Sequence, residues 1–219
     1  MDALEIVTGE APDSAVIWLH GLGADGHDFA PIVPELGLPS SAKVRFIFPH
    51  APMLPVTING GYVMPAWYDV KSLDLSQEED AAGIRSSQRQ LEALLRRELE
   101  RGIASTRIVL AGFSQGGAIA LHTALRYAAP LAGVLALSTY LPLPHTLRTE
   151  ASPANTALPV FMAHGTADSV ITLAHGAASR DLLRQDGHAV EWHEYPMAHS
   201  VCAEEISDIG TWLTRILAD

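Results

Sequence analysis

The sequence predicts one α/β domain spanning residues 1–219, with a mostly parallel central sheet covered by helices on both faces. Three observations carry that expectation. Short apolar runs recur along the chain, and helical patterns separate several of them, the alternation that builds βαβ units. Hydrophobic residues make up 48% of the chain against 18% charged, a balance that suits elements buried on both sides. A chain of 219 residues fits one large core better than two small ones, and no repeat, low-complexity tract or linker divides it.

In chain order the predicted strands are a weak Leu4 to Val7, then Ala15 to Leu19, Val44 to Phe48, Ile108 to Ala111, Val134 to Leu137, Val160 to Ala163 and Val190 to Tyr195. The clearest helix lies within Glu78 to Arg101, where Ile84, Leu91, Leu94, Leu95 and Leu99 mark one face and Gly102 offers a stop. Ala118 to Leu125 reads as a small-residue helix and Ala203 to Leu217 as a final amphipathic one. Pro49 to Ser76, dense in Pro, Gly and aromatics, reads as the longest irregular stretch.

Bulk properties exclude several functions. A formal charge of −11 with scattered Lys and Arg opposes attraction to nucleic acid or anionic lipid. The first residues carry no basic and apolar leader pattern, and no segment supplies 18 uninterrupted apolar residues. A cytoplasmic protein without stable membrane association is therefore expected. Cys202 is the only cysteine, which rules out an intramolecular disulfide and a thiolate cluster. The ten histidines form no H-E-x-x-H or similar cluster, so neither metal nor cofactor is expected.

The chemistry centres on Ile108-Val109-Leu110-Ala111-Gly112-Phe113-Ser114-Gln115-Gly116-Gly117, which passes directly into the small-residue helix. Strand, tight turn and helix in that order, with G-x-S-x-G at the turn, form a nucleophile elbow. Glycines are needed where strand and helix cross closely, and Ser114 would stand at the carboxyl edge of the sheet over a helix amino terminus. The first strong strand runs into Gly21-Leu22-Gly23-Ala24-Asp25-Gly26, which lacks the Lys-Ser/Thr ending of a P-loop. Its Leu22 N–H, paired with that of Gln115, is the candidate oxyanion hole. His20 is read as fixing this loop by hydrogen bonds, not as a base. Asp168 falls just beyond the Val160 strand, and His199 lies on the loop before the last helix; His193, in mid-strand, is poorly placed to reach the sheet edge. The order Ser114, Asp168, His199 matches the hydrolase scaffold that carries this elbow, not the chymotrypsin or subtilisin orders. Within Pro49 to Ser76, two readings stand side by side for Trp67, Tyr68, Met64 and Leu73: walls of an apolar substrate groove, or aromatics and aliphatics pinning the loop to the core.

With these residues in view, the chain resembles the carboxylesterase and acyl-protein thioesterase family of α/β-hydrolases, also called the phospholipase/carboxylesterase family. The segments VIWLHGLGADGHDF, PVTINGGYVMPAWYD, LAGFSQGGAIALHTAL, LALSTYLP, HGTADSVI and EYPMAHSV carry the resemblance from Val16 to Val201, and the second is closest to the bacterial carboxylesterase branch. The resemblance implies an α/β-hydrolase fold without a separate lid domain. It also implies nucleophile Ser114, acid Asp168, base His199, and oxyanion donors Leu22 and Gln115. Short to medium acyl esters are the expected substrates, with thioesters and lysophospholipids as further candidates; the partner is a small-molecule ester or thioester, and some members form homodimers. A non-catalytic binding protein on the same fold is the alternative. One position departs from the family pattern. Ala198 stands where glycine commonly precedes the catalytic histidine, and a positive φ there would strain the loop.

Overall fold

The computed structural model describes residues 1–72 and 79–218. Strands β1 (Ala3–Val7), β2 (Ser14–Leu19), β3 (Val44–Pro49), β6 (Ile108–Phe113), β7 (Gly133–Leu137), β8 (Val160–Gly165) and β9 (Val190–Tyr195) form one sheet in the order β1-β3-β2-β6-β7-β8-β9. Only β1 runs antiparallel, against β3; the remaining pairs are parallel. Helices α1 (Ala81–Glu100), α2 (Gln115–Arg126), α3 (Leu147–Glu150), α4 (Leu173–Gln185) and α5 (Ala203–Ile216) complete the framework. None of the described helices is long and apolar enough to cross a membrane.

The two-residue period of a strand decides the layers. Ile17, Leu110, Val134 and Met162 join one core with the inward faces of α1 and α2. Their neighbours Val16, Val109, Leu135 and Phe161 join a second core with Ile209, Trp212 and Leu213 of α5. The middle strands are consequently buried on both sides, which is why they read as continuous apolar runs without alternation.

Two expectations need correction, and one helix had no counterpart among the expected elements. The stretch from Pro49 contains a two-stranded antiparallel hairpin, β4 (Met53–Val56) with β5 (Tyr62–Pro65), turning through Gly60 and Gly61 at positive φ. The helix α4 was not foreseen. On α1, Leu99 is exposed, while Glu98 is fully buried. The Glu98 carboxylate accepts from the guanidiniums of Arg45 (2.6 Å), Arg101 (2.9 Å) and Arg97 (3.3 Å), tying α1 to β3. A buried charge survives only with such partners.

Candidate active site

Ser114 sits between β6 and α2 with φ 55° and ψ −123°, a left-handed conformation that costs on the order of 1–3 kcal/mol for a non-glycine residue. The surroundings hold it there. Its N–H donates to Leu137 O (2.8 Å), and Thr139 Oγ1 donates to its carbonyl (2.7 Å). A Cβ at Gly112 would overlap the backbone of Gly116, and one at Gly116 would overlap the carbonyls of Leu19 and His20. The two glycines are thus set by close approach of strand and helix.

Asp168 lies on the turn after β8, its carboxylate buried. One oxygen accepts from the N–H groups of Val170 (2.8 Å) and Ile171 (3.0 Å), which fixes the carboxylate plane. The other accepts from His199 Nδ1 at 2.7 Å. That bond places the imidazole proton on Nδ1, so Nε2 is free to accept from Ser114 Oγ, 2.9 Å away. The two loops that carry the acid and the imidazole are pinned to each other: Thr166 N donates to Tyr195 O and Ala167 N to Met197 O. Gly165 leaves room for this contact, because a Cβ there would overlap the Met197 and Ala198 carbonyls. Ala198 itself is absent from the positive-φ residues, so the departure from glycine introduces no backbone strain.

Leu22 lines the cavity beside Ser114, and Gln115 is the first residue of α2. Neither backbone N–H has a hydrogen-bond partner among the described residues, leaving both open to an anion. The Leu22 loop is anchored on either side. Gly23 N donates to Pro65 O (2.9 Å); His20 bonds to Gly21 O through Nδ1 (2.7 Å) and accepts from Ala51 N at Nε2 (3.1 Å). Burial holds the His20 pKa below the usual histidine value, in keeping with a neutral structural imidazole.

The cavity over Ser114 has a volume of about 490 Å³ and mixes apolar walls from Leu22, Ile58, Phe113, Val170 and Ile171 with the site residues. Of the proposed wall residues Trp67, Tyr68 and Met64, only Tyr68 lines it. Trp67 is a correction: it is 2% exposed and its indole N–H donates to His20 O (2.9 Å), so it pins the loop to the core. Leu73 lies outside the described residues. Gln115 takes an additional part through its side chain. Its Oε1 accepts from Trp67 N (2.8 Å), and its Nε2 donates to Tyr68 O (2.7 Å), clamping the cavity wall to the start of α2. Phe113, Ile171 and Tyr140 went unassigned in the sequence. For Tyr140 the available signal was its place just after β7, at the same sheet edge as Ser114.

The phospholipase/carboxylesterase family model matches residues 1–217. The chain belongs to the phospholipase/carboxylesterase family. It is accordingly an α/β-hydrolase, an enzyme acting on carboxylic esters or thioesters. Among its relatives, acyl-protein thioesterase 1 of Neurospora crassa is 43% identical over 93% of this chain and 87% of its own length. Its namesake from Mycosarcoma maydis is 40% identical, covering 96% of this chain and 94% of its own length. Among solved structures, Zea mays acyl-protein thioesterase 2 superposes with a TM-score of 0.87 at 29% identity, covering 99% of both chains. Arabidopsis thaliana SOBER1 gives 0.88 at 29% identity, over 93% of this chain and 99% of its own.

Proposed function

We propose that this family member is a serine carboxylesterase acting on short to medium acyl esters, and on thioesters of the same acyl groups, through a Ser114–His199–Asp168 triad. The observation that carries the reading is the unbroken hydrogen-bonded line from buried Asp168 through His199 to Ser114, ending at a cavity. Ser114 Oγ attacks the acyl carbonyl while His199 Nε2 takes its proton; the oxyanion that forms is received by the N–H groups of Leu22 and Gln115. His199 then protonates the departing alkoxide or thiolate, leaving an acyl group on Ser114. Water repeats the cycle and releases the acid, with Asp168 balancing the imidazolium each time. The names of the relatives, acyl-protein thioesterases, support the thioester half of the reading.

A fluorophosphonate probe tests the core of the proposal: wild type becomes covalently labelled and Ser114→Ala does not. Equal labelling of both would place the reactive nucleophile at another residue, and labelling of neither would overturn the Ser114 mechanism. Chain-length dependence tests the rest. Each methylene buried in the cavity can add up to about 0.8 kcal/mol, and the gain stops where the cavity ends. With p-nitrophenyl esters, kcat/KM should rise over the first few carbons and then level or fall; a continued climb to long chains with a jump at an oil interface contradicts a bounded cavity.

A further inference from the structure

Tyr68 and Tyr140 both line the cavity that holds Ser114, and their hydroxyl oxygens lie 2.8 Å apart. Two O–H groups and one shared hydrogen bond leave one proton without an acceptor. No other described residue bonds to either hydroxyl, the nearby carboxylate of Glu79 included, which accepts from Leu143 N–H (3.0 and 3.1 Å). Tyr140 is the more accessible partner, 9% exposed against 3% for Tyr68. Either hydroxyl can donate to the other; with Tyr68 donating, the O–H on the more exposed Tyr140 is left as the free donor, polarised by the bond it receives. Burial pushes Tyr140 up to about 12 and Tyr68 well above the usual tyrosine value, so both remain protonated at any working pH.

A buried donor with no acceptor disfavours a cavity filled only by hydrocarbon. We propose that the Tyr68–Tyr140 pair is a specificity subsite, in which the Tyr140 O–H selects acyl chains carrying an accepting oxygen over plain alkyl chains of the same length. The inference rests on the hydrolase reading above, since it assigns the cavity to the acyl group. Tyr140 touches the substrate, and Tyr68 acts through it.

The test compares p-nitrophenyl hexanoate and octanoate with their ketone analogues, the ketone moved along successive carbons beyond the third. Wild type should favour at least one ketone ester over its alkyl parent by about 10-fold in kcat/KM, the scale of one well-made buried hydrogen bond. The preference is taken as a ratio within each protein, so that any general loss of turnover cancels. Tyr140→Phe and the double Tyr68→Phe/Tyr140→Phe should bring the ratio to about one, whereas Tyr68→Phe, which keeps the substrate-facing hydroxyl, should retain part of it. A wild-type ratio within about twofold of one at every ketone position overturns the subsite, as does a ratio that survives in the double variant. Wild type that turns over neither these esters nor p-nitrophenyl acetate instead overturns the hydrolase reading, and the subsite with it.

Discussion

At Ser114 the backbone is held at φ 55° between glycines that strand and helix packing require, so the motif announces both the geometry and the residue. That is why the site's three central positions were legible: an elbow serine, a carboxylate past a late strand and a histidine before the last helix meet at 2.9 and 2.7 Å. The walls were not. Trp67 and Tyr68 are adjacent in sequence, yet one is spent on His20 O and the other faces the cavity, a division set by partners distant in sequence. The Asp168 geometry yields a prediction at this scale. An amide in place of the carboxylate offers one accepting oxygen where Val170, Ile171 and His199 now share two, and its NH₂ can impose the wrong imidazole tautomer. Asp168→Asn should keep the fold and lower kcat by about 10⁴-fold, the loss associated with a mis-set tautomer. Steady-state kinetics on a purified, folded variant decides it; a loss below tenfold would assign the role elsewhere.

Elements were legible where apolar periodicity was strong or an elbow motif announced them, as for α2, and illegible where prolines interrupt a strand or few large apolar residues mark a helix face. The hairpin β4–β5 hides because Pro55 lies within one strand and Pro65 ends the other, and proline argues against a strand reading. Helix α4 hides because its buried positions are Gly176, Ser179 and Leu183, only one of them a large apolar residue. Helix α1 was read in the right place but with Leu99 on the wrong side, since no apolar pattern reveals that three arginines will bury Glu98. Removing that carboxylate leaves several cations facing one another in a partly buried site. Glu98→Ala should therefore destabilise the protein by about 3–5 kcal/mol, as for loss of one partner of a buried pair. Denaturant unfolding monitors this, and a change below about 1 kcal/mol would show that the cluster is solvated in solution.

For the whole molecule, alternation along the strands separates two cores; coverage of the sheet on both faces was legible from the continuous apolar runs, but which strand residue belongs to which core was not. Nor was the direction of β1, because strand polarity depends on where a connection returns and leaves little trace in composition. Global stability should also carry a pH signature from Glu205, fully buried in the first turn of α5. Burial pushes its carboxyl up to about 8; the Cys202 N–H opposes the shift and the charge of Asp208 adds to it. A folded-state value above the unfolded one of 4.5 means that the native protein holds the extra proton. Its contribution is complete below about pH 4.5 and is lost as pH rises toward about 8. Glu205→Gln should flatten the fall in stability over that window and raise stability at pH 8 by about 2–4 kcal/mol. Parallel unfolding curves for the two proteins across the window would contradict the assignment.

The imidazole of His199 reaches back 85 residues to Ser114 and 31 to Asp168, and the strands that deliver the three occupy adjacent or near-adjacent places in the sheet. Closing such long loops precedes any reward from the contacts they bring, which makes assembly of this corner a late event on the way from the unfolded chain. Turnover is then a clock for completion. When denatured protein is diluted into buffer, helical signal should recover ahead of activity, and activity should return together with the slowest tertiary phase; hydrolysis regained in the earliest phase would mean that the corner forms before the sheet that supports it.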